Sequence, residues 1–385
     1  MYVAGLDLPW FRSPFLRHSF LVEHTSQITK LMRAGVKIVD VDLDRGVASP
    51  PHSSSNTPPS ASEITHSTIL KRTKALAQLN EEYAQAKQAK HQLDQAVQSI
   101  FSTIAKTGTV NPQQAAEAVQ EITIVMRTLT DSAIFMALSQ NRNGDPTLSR
   151  HALATCTLSL VIGQTFQFNP LELQELAIAA LLHDIGLLQI RPTILRRVHS
   201  DSNLCQADRQ EFETHPRLAV LTLQRQGGVD PDVLDLIANH HTDFTDSRYP
   251  SEAPGQLSPD RTRILMIADQ YDELITGFGG ASPLTPHQAF QRLYQAAQEG
   301  RLDQRLLSSF IARVGIYPVH SYVQLNTREL AVVTELNQQK LHQPIITITH
   351  QSEGIKYLAP FVVDLACQTD ESQPRVIETI ITMDT

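Results

Sequence analysis

The sequence predicts a mainly α-helical protein: a helical domain in the middle of the chain, a small α/β unit before it and a short β-rich appendage behind it. Three observations carry that expectation. Helical patterns with apolar positions three and four apart follow one another between residues 145 and 315. The first 43 residues read as short strands around one helix, and the chain from Tyr317 onward alternates as strands do. At 385 residues with 41% hydrophobic side chains, the chain is long enough for two domains and for a sizeable core.

Taken in order, residues 1–43 form the α/β unit. "MYVAGL" and "SFLVEH" predict strands, "TSQITKLMRAG" a helix with a Thr/Ser start and a Gly stop, and "VKIVDVD" a last strand. Residues 44–62, "DRGVASPPHSSSNTPPSAS", predict a flexible Pro/Ser-rich linker. Long helices are expected over 63–140. Leu76, Leu79, Tyr83, Ala86, Leu93, Val97 and Ile100, with Lys90 in the series, fall in alternating steps of three and four. Such a heptad seam pairs a helix with its counterpart in a homodimer, or packs it on its own domain; both readings stand. "TGTVNPQQ" ends this helix and a second follows to about Gln140. The helical domain, 141–315, has patterns over 147–166, 170–183, 208–226, 231–242, 260–277, 286–299 and 303–313. In the appendage, 316–385, "SYVQLNTRELAVVTEL" and "PIITITH" predict short strands.

A net charge of −8 argues against a nucleic-acid polymer or an anionic membrane as a bulk electrostatic partner. Cys156, Cys205 and Cys367 are scattered with no CxxC, which points to a reducing compartment and away from a thiolate metal site. No apolar run reaches the roughly 18–20 residues of a membrane span, and the N-terminus lacks the layout of a signal peptide. A cytoplasmic protein is expected.

The chemistry is expected in the helical domain. In "AALLHDIGLLQI", residues 179–190, an apolar run is broken by His183 and Asp184. A buried carboxylate costs several kcal/mol unless something compensates it. The same domain holds His151, His215, the pair His240-His241 and Asp269, each in or at the end of a predicted helix. Imidazole and carboxylate together are ligands for iron, manganese or zinc, and a bridging carboxylate holds two metals. A divalent pair would compensate Asp184 and supply a nucleophile near neutral pH. A lone His-Asp dipeptide carries little weight, since with 15 histidines about one is expected by chance. The weight lies in order and context.

That order resembles the HD superfamily of metal-dependent phosphohydrolases and, within it, the HD-GYP class. The resemblance runs over roughly 145–315 in five blocks: "RHALATCTLSL", "LLHDIGLLQI", "THPRLAVLTL", "NHHTDFTDSRYP" and "RILMIADQYDELIT". "MYVAGLDLPW" and "SPFLRHSF" also resemble the small domain of unknown function that often precedes HD-GYP domains. Because the chain opens at that domain's "MYV" point, a start upstream of Met1 is expected. The resemblance implies a centre of two metals, iron or manganese. His151, His183, Asp184 and Asp269 would surround one, and the bridging Asp184 with His215, His240 and His241 the other. Asp272 matches the catalytic residue that orients the hydroxide nucleophile.

The resemblance also implies hydrolysis of cyclic di-GMP to pGpG and on to GMP. The sequence departs from the pattern where the substrate is met. Leu187 stands where the family has the Lys after HDIG, and Arg191 where it has Pro. "HHTDFTDSRYP" keeps only Tyr249 and Pro250 of the signature after the histidines, with Thr242, Thr245, Asp246 and Arg248 replacing its Glu, Asp and two glycines. "FGGA" at 278–281 replaces an Arg-Pro-Tyr-Arg block. Arg191, Arg248 and Tyr249 are then the candidate substrate contacts. Three readings follow: a cyclic di-GMP phosphodiesterase with a degenerate substrate pocket; a metal-binding signalling module that holds a nucleotide or a partner such as a GGDEF-type cyclase; and a phosphohydrolase for another nucleotide.

Overall fold

The computed structural model describes residues 2–6, 20–21, 39–42, 66–129, 131, 134, 147–198, 204–241, 259–278, 282–368 and 374–381, with side chains from residue 80 onward except at 259, 358 and 359. The chain divides into two compact units, Met1–Lys71 and Arg72–Thr385. In the first, β1 (Tyr2–Leu6), β2 (Phe20–Leu21) and β3 (Val39–Asp42) form an antiparallel sheet in the order β2-β1-β3. These match the three expected strands. The helix expected over 25–35 and the linker over 44–62 lie outside the described residues.

The helices are α1 (His66–Thr107), α2 (Pro112–Thr128), α3 (Leu148–Gly163), α4 (Pro170–Leu182), α5 (Pro192–Val198), α6 (Gln206–Phe212), α7 (His215–Gln226), α8 (Pro231–Asn239), α9 (Pro259–Thr276), α10 (Pro286–Gln298) and α11 (Gln304–Val314). The "TGTVNPQQ" break falls as predicted. Gly108 takes a positive φ of 66°, and the Asn111 side chain caps α2 by accepting from the backbone of Gln113 and Gln114. The continuation expected to Gln140 is largely outside the described residues. Along α1 the seam residues Ala86, Leu93, Val97 and Ile100 are buried within the chain itself, so this stretch is not free to face a second copy. Lys90, partly buried in the seam, pairs with Asp94 at 2.6 Å.

Helix α3 is buried from His151 through Gly163, as befits a helix apolar on almost every face. It packs against α2, α4, α9 and α11 and so forms the centre of the helical domain. On its far side Tyr271 of α9 stacks on Phe290 of α10 at 4.6 Å and meets Phe310 of α11 edge-on at 5.0 Å. One polar clamp joins three helices. Arg261 of α9, 5% exposed, pairs with Glu175 of α4 and, at 3.0 Å, with Asp232 of α8. No single helix among the described residues is long and apolar enough to cross a membrane.

Two departures from the expected helices concern the path around the middle of the domain. The single helix predicted over 208–226 is two, α6 and α7. Pro216 has no N–H to give the preceding turn and its ring would collide there, so α6 stops at Phe212 and α7 begins afresh at His215. The 3-10 turn Ile185–Gln189 and the seven-residue α5 have no counterpart in the prediction, because such short elements carry no periodic signal.

The appendage is a five-stranded antiparallel sheet of β4 (Tyr322–Leu325), β5 (Leu330–Glu335), β6 (Ile345–His350), β7 (Lys356–Asp364) and β8 (Ile377–Ile381) in the order β7-β6-β5-β4-β8. Consecutive strands form a meander, and β8 returns to pair with β4. The sheet has its own apolar cluster, with Val323, Leu325, Val333, Ile346 and Ile348 fully buried. Replacing Arg261 leaves the buried Glu175 carboxylate without its cation. Arg261→Ala is therefore expected to cost about 3–5 kcal/mol of stability, measured by urea unfolding; a midpoint equal to that of the unchanged chain would refute the clamp.

Candidate metal centre

The sequence places histidines at the ends of helices, and the ends decide where their rings point. A helix leaves its last four carbonyls without intrahelical partners. His183 terminates α4 and its Nδ1 donates to Ala180 O at 2.8 Å. His240 terminates α8 and donates to Ile237 O at 2.7 Å. His215 opens α7 and donates to Phe212 O at 2.8 Å, the last residue of α6. A carbonyl only accepts, so each ring carries a proton on Nδ1 and turns Nε2 toward the centre. His151, in the first turn of α3, is held differently: its Nδ1 donates to Asp272 Oδ2 at 2.7 Å.

The Nε2 atoms converge on two carboxylates. In one cluster Asp269 Oδ1 lies 3.0 Å from His151 Nε2 and 3.4 Å from His183 Nε2. In the other, Asp184 Oδ1 lies 3.2 Å from His215 Nε2 and 3.6 Å from His240 Nε2. His241 Nε2 joins it 3.0 Å from His215 Nε2. The second oxygen of Asp184 faces the first cluster, 3.5 Å from His183 and 3.7 Å from His151. Asp184 thus stands between the two groups with one oxygen toward each. Its backbone, φ −102° and ψ 7°, lies in the sparsely populated bridge region, where the chain leaves α4 for the 3-10 turn.

The donor set fits divalent cations. His215 and His240 bring their Nε2 atoms to 3.3 Å of one another, with Nδ1 of each already committed to a backbone carbonyl. Asp269 Oδ2 and Asp272 Oδ1 are buried with no hydrogen-bond partner. In each cluster the ligand atoms lie within 4.8 Å of one another. Nitrogen and carboxylate oxygen together suit iron, manganese or zinc.

The electrostatics divide the centre in two. Burial opposes the charge on Asp184, yet His183, His215 and His240 hold its carboxyl well below the usual range. Burial keeps His240 below its ordinary value, and burial with His240 and His215 as neighbours keeps His241 well below it. These are neutral rings. Burial also works against a charged His151, but hydrogen bonds to Asp269 and Asp272 hold it well above its usual value, and Asp184 and Asp269 raise His183 in the same way. Carboxylates therefore draw positive charge to the His151 side. Glu273, one turn beyond Asp269, is pushed up to about 8 by burial and by the Asp269 charge.

Gly186 allows this geometry. A Cβ there would lie 2.0 Å from His215 O and 2.8 Å from Ala219 N, so only glycine lets the 3-10 turn cross α7 this closely. Beside it, Leu187 belongs to a buried apolar cluster with Ile190, Ile194 and Phe278.

Every ligand named from the sequence, His151, His183, Asp184, His215, His240, His241 and Asp269, is in one of the two clusters. Asp272, fully buried, meets His151 Nδ1 and so acts through that ring. The Arg191 guanidinium is bonded to Glu211 at 2.7 Å and Asp208 at 2.9 Å, with its side chain 57% exposed. Arg248 and Tyr249 lie outside the described residues. Sequence reasoning missed Glu273 and the aromatic face of Phe278. The first was open to detection, since it lies four residues beyond Asp269 on one helix face; the second depends on a contact made across the fold. Removing Asp184→Ala is expected to abolish metal uptake in a mass-spectrometric count, and Asp272→Asn to weaken it by about 10–100-fold. Unchanged metal content in the Asp184 variant would refute the assignment.

Residues 138–306 match the family model for the HD domain, and residues 1–115 match a domain of unknown function, DUF3391. The cyclic di-GMP phosphodiesterase PA4108 of Pseudomonas aeruginosa is 24% identical over 373 residues, 96% of this chain and 88% of that protein. The cyclic di-GMP phosphodiesterase response regulator RpfG of Xanthomonas campestris pv. campestris is 30% identical over 142 residues, 36% of each chain. Among solved structures, Bd1817, an HDG"Y"P protein from Bdellovibrio bacteriovorus, matches at a TM-score of 0.48 and 18% identity, over 64% of this chain and 80% of that one. The chain is thus similar to the HD domain over residues 138–306 and to DUF3391 over residues 1–115.

Proposed function

We propose that this HD domain protein, a metal-dependent phosphohydrolase, hydrolyses cyclic di-GMP to pGpG and on to GMP. The observation that carries the proposal is Asp184, buried with one oxygen toward each of two histidine clusters. Two divalent cations, iron or manganese, bound there supply Lewis acidity toward a phosphodiester and a nucleophile at neutral pH. The substrate class is supported by the Pseudomonas relative, which aligns over nearly the whole chain and carries that activity in its name.

The chain's own groups have separate tasks in this reading. His151, His183 and Asp269 would hold one cation and His215, His240 and His241 the other, with Asp184 available to both. Asp272 keeps the His151 proton on Nδ1, so that Nε2 stays available. Leu187 and Phe278 exclude water from the His151 side but offer no donor to a phosphate oxygen. Among the described residues, the carboxylates of Asp184, Asp269 and Asp272 have ion-pair partners that are all histidines. Substrate capture therefore falls to Arg248 and Tyr249, and to Arg191 if it exchanges Glu211 and Asp208 for phosphate. Each charge-assisted phosphate contact contributes about 1.5–3 kcal/mol, so each one absent lowers capture roughly 10–100-fold.

That apolar flank also favours a second reading: a metal-holding module that binds a cyclic dinucleotide or a partner, such as a GGDEF-type cyclase, without turnover. Anaerobic incubation of iron- or manganese-loaded protein with cyclic di-GMP, with pGpG followed by chromatography and Asp184→Ala as the blank, separates the two. Product above the blank is expected. Two bound metals with no product sustain the second reading, and release from mononucleotides alone would assign a different nucleotide substrate.

A further inference from the structure

The carbonyl that orients His215 belongs to Phe212, the last residue of α6, whose ring also lies 5.2 Å from the His215 ring. Helix α6 has only seven residues. So short a helix is not stable by itself, and its direction depends on what the rest of the chain fastens to it. Arg191 is one such fastening. It follows the 3-10 turn that begins at Asp184, and its carbonyl accepts from the N–H groups of Ile194 and Leu195 at 2.9 and 3.3 Å as α5 starts. From that fixed place three donors reach α6. The Arg191 N–H donates to Glu211 Oε1 at 3.2 Å, its Nε to Glu211 Oε2 at 2.7 Å and its Nη2 to Asp208 Oδ1 at 2.9 Å. Arg197 of α5 pairs with the other oxygen of Asp208, which is buried. A planar guanidinium bonded to two carboxylates one helical turn apart fixes direction as well as distance.

We infer that Arg191 is a positioning residue for His215: by fastening α6 to the turn that follows Asp184, it aims His215 Nε2 at the Asp184 carboxylate. The inference rests on the two-metal reading and changes the role of this one residue within it. Arg191 stays on Glu211 and Asp208 rather than exchanging them for phosphate. Its side chain is more than half exposed, so these pairs contribute little to overall stability and the fold survives their loss. Charge separates the two roles. Removing a positive side chain lowers the repulsion of a divalent cation, whereas losing the orientation of a ligand ring weakens metal binding.

The test uses the full chain. Manganese is titrated anaerobically into the unchanged protein and into Arg191→Ala, and bound metal is counted by mass spectrometry. One of the two equivalents is expected to bind about 10–100-fold more weakly in the variant, and the other as before. Arg191→Lys keeps the charge but cannot span both carboxylates, so most of the loss should remain. Arg191→Ala combined with Glu211→Ala should weaken binding no further than Arg191→Ala alone. In the metal-free protein the Nδ1 proton of His215, assigned with His215→Ala, should exchange with water about tenfold faster in Arg191→Ala. Those of His183 and His240 should not change, whereas general unfolding would move all three. Two metals bound as tightly as before, with the His215 proton equally protected, would overturn the inference and leave the two-metal centre standing. A raised KM for cyclic di-GMP in that same variant would return Arg191 to substrate capture. If the chain takes up no metal, the centre itself falls, and the His215 proton still decides whether Arg191 holds that ring.

Discussion

A single buried carboxylate, Asp184, sets the terms for the rest of the helical domain. A charge removed from water costs several kcal/mol unless the protein surrounds it with compensating groups. Here those groups are imidazoles from α3, α4, α7 and α8, and each arrives because a helix begins or ends beside the site. The same ends orient the rings, since carbonyls left over at α4, α6 and α8 take the Nδ1 protons of His183, His215 and His240. Helix termination thus meets two needs together: it satisfies orphan backbone groups and aims Nε2 atoms at a common point.

Holding several helix ends together requires constraints away from the centre. Helix α3, buried along nearly its whole length, supplies the apolar one. Arg261 supplies a polar one by joining α9, which carries Asp269, to α4 and α8, which end in His183 and His240. Gly186 supplies a steric one, because a methyl group there would push the turn after Asp184 off the His215 carbonyl. Each of the three constrains where the rings meet.

The centre is uneven in charge. Three carboxylates, those of Asp269, Asp272 and Asp184, crowd the His151 side and draw positive charge there, while His240 and His241 are kept neutral by burial. The crowded side is also the one covered by Leu187 and Phe278. In a low-dielectric, water-poor surround, carboxylates bind a cation more tightly, and the same surround is hostile to an approaching anion. In the proposed reading, tight holding of metal and weak capture of phosphate would both follow from one apolar flank.

Much of this was legible in the sequence. The element order, the break at "TGTVNPQQ" and the strands of the two β units followed from periodicity and capping residues, and the seven residues proposed as ligands from the resemblance of five short blocks, because these are local properties of the chain. Other features were decided only by the tertiary structure. Whether the seam along α1 faces a second copy or its own chain depends on what packs there, and Ala86, Leu93, Val97 and Ile100 are buried within the chain. The break before His215–Pro216 was readable in principle from the proline, but the short turn and α5 were not, since a few residues carry no period. Asp272 and Phe278 take their roles from His151, 121 residues from the former along the chain. Residue types and spacing determine which groups can bind a metal; which of them touch is set by contacts between segments far apart in sequence, and no local pattern encodes those.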